Sequence, residues 1–249
     1  MILETSLADA LFVNWAVPAE ALPSPPEPLT LDTALHDGRQ VGFVTLVLFR
    51  QCGLRLAALP WPSLTFAQCN LRVPVRDPEG AAGVWLLREL VPAWVVPLAR
   101  TIGRQPVSAA VFDRRSDGRD QRWTVHAGRV LSLAARPGAA TGVDPRLGDW
   151  PTTVGFFRDR PRAWVRAPRD PDGVVRRIET AHPALEGVPM TIEFGAVDWL
   201  ASRLPTVDEA AWARPHSAFQ VAPARLTLEV GRVRVPAVRA HDARAAVAG

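Results

Sequence analysis

Within Phe66–Val75 the side chains alternate in kind: Cys69, Leu71, Val73 and Val75 are apolar, while Gln68, Asn70 and Arg72 fall between them. Successive residues of a strand point to opposite faces, so the segment reads as a strand with one apolar and one polar side. The polar set is suited to recognition. A guanidinium holds a carboxylate in a forked geometry, and two amides beside it can donate and accept hydrogen bonds around the same ligand. Alternation alone allows two settings for that side, bulk water or the interior of a cavity. The competing reading of Arg72 is a structural arginine satisfied by the protein's own carboxylates or carbonyls.

Lysine is absent, so all 29 residues of the Lys+Arg total are arginine. No side-chain Schiff base can form. Pyridoxal-phosphate anchoring, class I aldolase chemistry, lysine-dependent decarboxylation and the phosphate-binding lysine of a P-loop are all excluded. His36, His126, His182, His216 and His241 are scattered without HExxH or HxH spacing, and Cys52 and Cys69 read as free thiols outside any CxxC pattern. No metal and no cofactor is therefore expected. Neither a GxSxG elbow nor a GxGxxG loop occurs. Glu89, Glu179 and Glu193 are carboxylates available for acid–base work, but nothing in the sequence places two of them together.

The net charge of +4 and pI near 10.6 resemble a nucleic-acid binder's balance. Without lysine or tyrosine, however, few groups titrate between histidine and arginine, and a modest charge persists to high pH. Arg114-Arg115, Arg119–Arg122 and Arg158–Arg166 are interspersed with Asp113, Asp117, Asp120 and Asp159. They read as solvated strand ends and turns, and no specific nucleic acid is expected. The opening MILETSLADALFVNW carries Glu4 and Asp9 and no basic leader region, and the apolar runs Val41–Phe49 and Val91–Ala99 are too short to span a bilayer. A soluble, cytoplasmic protein without a membrane partner follows. The sequence does not fix its oligomeric state.

These residues need a scaffold, and the punctuation of the chain describes one. Asp-Gly between strand-like runs marks hairpins: Leu29–Leu35 with Val41–Phe49 around Asp37-Gly38, Val107–Arg114 with Arg122–His126 around Asp117-Gly118, and Ala163–Ala167 with Val174–Thr180 around Asp172-Gly173. A fourth pair, Arg225–Val230 and Arg232–Val238, is predicted to turn at Gly231. Helices are predicted over Leu90–Ile102, after a capping Asp149 through Phe157, and over Val197–Leu204. The expected fold is mainly β: an antiparallel barrel or cone with a few flanking helices, one domain over 1–240 and a frayed tail at 241–249.

Four stretches in order, ALFVNWAVPAEAL (Ala10–Leu22), LTLDTALHDGRQVGFVTLVLFR (Leu29–Arg50), FAQCNLRVPV (Phe66–Val75) and GVWLLREL with a following LAR (Gly83–Leu90, Leu98–Arg100), resemble the YqjF-like proteins of domain-of-unknown-function family 2071. That family is similar in fold to the acetoacetate decarboxylase-like superfamily. The resemblance weakens through Thr152–Ala167 and Ile178–Pro183. It implies a β-barrel with a central pocket and supplies no established function. Gln68 stands where the family's strand motif usually has Glu, and Asn14-Trp15 where its opening motif has His-Trp. By this resemblance Gln68, Asn70 and Arg72 point inward, and His182 and His216 lie in segments able to approach the pocket. The candidate ligand-binding set is Asn14, Trp15, Gln68, Asn70, Arg72 and His182, and the implied partner is a small molecule, with a carboxylate as the candidate. Two alternatives stand beside binding: an acid–base enzyme acting on a small carbonyl or carboxylate substrate, and a structural or interaction protein with a vestigial pocket.

Overall fold

The computed structural model describes residues 1–36, 39–59, 61–103, 105–117, 120–140, 147, 149–166 and 174–234. The opening segment is a long strand, β1 (Ile2–Pro18). In its second half Leu11, Val13, Trp15 and Val17 are buried on one face and Ala10 and Phe12 on the other, so the strand lies between two packed layers. Asp9 has a φ of 57°, a left-handed conformation that aspartate tolerates better than most residues. At that point the pairing with β4 (Arg39–Leu56) skips from Ala8 to Leu11. The irregularity bends the strand, which lets residues 2–7 pair with β15 (Ala224–Arg234) and residues 10–14 with β14 (Ser217–Val221).

β4, β5 (Leu64–Arg76), β6 (Ala82–Val91), β11 (Arg162–Val165), β12 (Val174–Ala181), β15 and β1 follow one another around a closed seven-stranded barrel, completed by the β1–β4 pairing. Beyond β14 the sheet continues through β13 (Gly187–Ala196), β10 (Val130–Pro137), β9 (Gln121–His126) and β8 (Val111–Ser116). Short strands β2 (Thr30–Leu31), β3 (Ala34–His36) and β7 (Ser108–Ala109) pair with β5, β4 and β6. Most pairings are antiparallel, but β11 runs parallel to β6. A parallel neighbour requires a long crossover; here the chain leaves after β6, builds β8–β10 and α2 (Trp150–Arg158), and returns beside the strand it left. Gly83 sits at this seam, where a Cβ would run into the Trp164 ring and the Arg162 carbonyl.

Exposure identifies the barrel's inner wall. On β12, Arg177 and Glu179 point outward, each side chain 42% exposed, whereas Ile178 turns inward onto Val84, Leu86 and Val165. The outer faces of β1, β4 and β5 carry Leu11, Leu46, Leu71 and Val73, covered by Trp123 and Leu133 of the extended sheet and by Trp199 of α3 (Asp198–Arg203) and Trp212 of α4 (Glu209–Trp212). On the inner face Phe12, Phe43, Val47 and Phe219 are closed over by Val154 and Phe157 of α2. Asp149 caps α2 as expected, its carboxylate accepting from Thr152 N at 2.9 Å.

The structure corrects several expected elements. Leu90 and Val91 end β6 rather than begin a helix; helical structure starts only with α1 (Val95–Leu98) and continues as a wider turn over Ala99–Gly103. Three- and four-residue apolar spacing fitted both readings, and Pro92 ends the strand. Leu29–Leu35 is split between β2 and β3 because Asp32, between them, turns inward, its N–H donating to Pro74 O at 3.0 Å. Gly231 makes no turn: β15 runs through it, and Gly231 pairs with Arg177. The turn pairs Asp37-Gly38 and Asp172-Gly173, Gly118 of the third pair, Arg119, residues 235–238 and the tail 241–249 lie outside the described residues. Among the described residues no helix is long and apolar enough to cross a membrane.

Candidate functional site

The predicted alternation of β5 is present: Cys69, Leu71 and Val73 are fully buried on the outer face, and Gln68, Asn70 and Arg72 are half-buried on the other. Because Arg72 stands opposite Leu86, which packs inside the barrel, the polar side is the inner wall. Register builds two rows across it. Arg72 is level with Thr45, Thr45 with Asn14, and Asn14 with Ser217. One step along, Asn70 stands between Val47 and Glu89.

Glu89 is the principal addition to the predicted set. It is 6% exposed, and Gln68 Nε2 joins it to Asn70, donating to Asn70 Oδ1 at 2.9 Å and to Glu89 Oε1 at 3.4 Å. Glu89 Oε2 is buried without a partner among the described residues. Burial disfavours the charged carboxylate and pushes the group up to about 7. Sequence reasoning had Glu89 only as one of three scattered carboxylates. The useful signal was the Asp77-Pro78-Glu79-Gly80 turn, whose Asp77 Oδ1 accepts from Ala81 N at 2.8 Å and which joins β5 to β6. Even so, the register shift between Leu71 and Arg72 brings Glu89, rather than Arg88, level with Asn70.

Arg72 donates from Nη2 to Phe157 O at 2.9 Å, and its guanidinium lies 5.1 Å from the centre of the Phe12 ring. The last carbonyls of a helix lack intrahelical partners and carry partial negative charge, so a cation suits them. Arg72 Nε is buried without a partner, and no carboxylate lies within ion-pair distance among the described residues. Burial, and then the like charge of Arg160, lower the guanidinium to about 9, so it stays charged at neutral pH.

Asn14 is fully buried; its Nδ2 donates to Ser217 Oγ at 3.1 Å, and its Oδ1 has no partner among the described residues. His216 approaches this row, its Nδ1 3.2 Å from Ser217 Oγ and its ring between Phe43 and Phe157. Trp15 does not share the wall. It lies on the opposite face of β1, buried in the outer core, with Nε1 donating to Trp212 O at 3.0 Å. His182 is also elsewhere, in an open cleft of 750 Å³ lined by Glu4, Ser6, Cys52, Arg55 and Arg225, which none of the other five predicted residues borders. Among the arginines read as solvated, Arg160 is in fact buried against Asp32 at 2.8 Å. Both cysteines are free, and burial pushes the Cys69 thiol far above the usual range.

The closed seven-stranded barrel with few helices matches an acetoacetate decarboxylase-like fold. Solved structures with this architecture include the enduracididine biosynthesis enzyme MppR complexed with pyruvate, at TM-score 0.58 and 12% identity over 94% of this chain and 90% of that one. An acetoacetate decarboxylase-like enzyme from Sphingomonas wittichii gives TM-score 0.53 and 13% identity over 94% and 91% of the two chains. An acetoacetate decarboxylase gives 0.55 and 10% over 93% and 89%. No curated protein matches by sequence. Residues 4–190 match the DUF2071 model, described as an uncharacterized conserved protein, and the chain belongs to that family.

Proposed function

We propose that the inner wall formed by Gln68, Asn70 and Arg72 binds a small organic acid without covalent chemistry. The observation that carries this reading is the incomplete state of Arg72: a charged guanidinium on a barrel wall whose Nε, among the described residues, has no partner and no protein carboxylate in reach. Buried polar groups are ordinarily satisfied, and a ligand carboxylate completes this one in a forked geometry. All three residues are half-buried rather than fully enclosed. MppR, of the same fold, has been solved with pyruvate, a small carboxylic acid, which supports the ligand class. With no lysine in the chain, the complex is held by hydrogen bonds and charge alone.

Calorimetric titration with pyruvate tests the reading. Removing one partner of a buried charged pair costs about 3–5 kcal/mol, so Arg72→Ala should weaken binding about 100-fold or more. Equal affinity in the variant and the parent would remove Arg72 from the site.

A further inference from the structure

Resting on the reading that Arg72 holds a carboxylate, we propose that the same wall is a proton-transfer site for 2-oxo acids, in which Glu89 takes a proton from carbon 3 and Asn70 donates to the carbonyl oxygen. The order of groups carries this. Arg72 and Asn70 are two residues apart on one strand face, about 7 Å along the strand, and Glu89 stands directly across from Asn70. The anion anchor is therefore one step along the strand from a level on which amide and carboxylate stand side by side. In a 2-oxo acid the carboxylate is likewise at one end, and the carbonyl and the acidic C–H lie on the two carbons next to it.

Hydrogen bonding assigns the roles. Gln68 occupies Asn70 Oδ1, which leaves the Asn70 amide nitrogen as a donor with no bond among the described residues. Gln68 also holds Glu89 Oε1, fixing the carboxyl, while Oε2 has no partner among the described residues. A base is most effective when its pKa lies near the working pH, and burial has moved Glu89 to about 7. Without a side-chain amine to form an imine, the developing enolate needs direct stabilisation, and a preorganised amide N–H and a guanidinium in a low-dielectric setting provide it.

The step balances without a co-reactant. The C3–H bond breaks and its electron pair forms the C2–C3 double bond, while the carbonyl π pair moves onto the C2 oxygen. The proton resides on Glu89 Oε2. Reversal restores the ketone, and in heavy water the carboxyl returns deuterium once it has exchanged with solvent.

The test is loss of the pyruvate methyl signal in heavy water at neutral pD, followed by proton NMR with the full chain, alongside a pyruvate titration. The wild type should exchange the methyl protons well above the protein-free rate. Glu89→Gln, nearly isosteric, should slow exchange by about 100-fold or more while still binding pyruvate. It keeps the Met1 amine, so any exchange through a terminal imine persists in it and is subtracted. Asn70→Ala should slow exchange more than it weakens binding. Pyruvate that binds the wild type without exchange overturns the base assignment and leaves the anchor reading standing, as does equal exchange by the wild type and Glu89→Gln. Failure of pyruvate to bind at all overturns both.

Discussion

Two arginines cap the same end of α2 and are treated very differently. Arg160 donates to Phe156 O at 2.6 Å, to Gly83 O at 3.1 Å and to Asp32 Oδ2 at 2.8 Å, and its side chain is 2% exposed. Arg72 has the neighbouring carbonyl, Phe157 O, as its hydrogen-bond acceptor and the Phe12 ring below it. Arg160 is a finished joint, tying the segment between β2 and β3 to β5, β6 and α2 at the barrel seam. Arg72 is an unfinished one, 2.9 Å from the same helix yet short of acceptors. The difference separates a structural guanidinium from one available to a ligand: burial alone is common to both, and completion of the hydrogen-bond set distinguishes them.

The largest effect that sharpens this contrast is Arg160→Ala. It leaves the Asp32 carboxylate, whose side chain is 8% exposed, with the half-exposed Arg76 at 3.0 Å as its one cation among the described residues, and should cost about 3–5 kcal/mol in urea denaturation. A loss below 1 kcal/mol, on the order of a surface pair, would dissolve the distinction.

Glu89 supplies the next effect. Its carboxyl is raised from 4.5 to about 7 in the folded chain, so the folded state holds the proton more tightly than the unfolded one. The corresponding stability is full below about pH 4.5 and is lost as pH rises through about 7, amounting to about 3 kcal/mol. Of the side chains on the facing strand, Gln68 and Asn70 are neutral and Arg72 is the cation. Glu89→Gln should remove this component, so subtracting its stability profile from that of the wild type should give a fall between those limits; a flat difference would mean Glu89 is not desolvated. The smallest effect is Arg72→Ala without ligand, expected to cost about 1–2 kcal/mol for one charged hydrogen bond. Destabilisation as large as that of Arg160→Ala would make Arg72 a second structural joint.

The polar strand was legible because its period is two and Gln68, Asn70 and Arg72 all lie on that one strand. Its neighbours were harder to read. Glu89 enters the wall only through the register shift between Leu71 and Arg72, which no local pattern announces. Trp15 joined Asn14 in the candidate set through the family's His-Trp opening motif, yet neighbours in a strand face opposite ways, and the indole lies in the outer core. Hairpin arms failed where a single residue was needed elsewhere, as at Asp32, and Gly231 was misread because glycine is tolerated inside a strand as well as in a turn. The inner position of the polar side depended on long-range closure, which exposure on β12 revealed and alternation on β5 could not.

That closure has a kinetic consequence. Ile2 pairs with Glu229 and Leu7 with Ala224, and the returning strand β11 docks on β6 after the whole excursion through β8–β10 and α2. Pairings of such wide sequence separation lose loop entropy before they gain contacts, and chains dominated by them fold slowly. During synthesis β1 and β4 emerge early and must wait for β15, with a strand edge open to other chains. The nascent protein therefore depends on its last described strand to seal an edge made by its first.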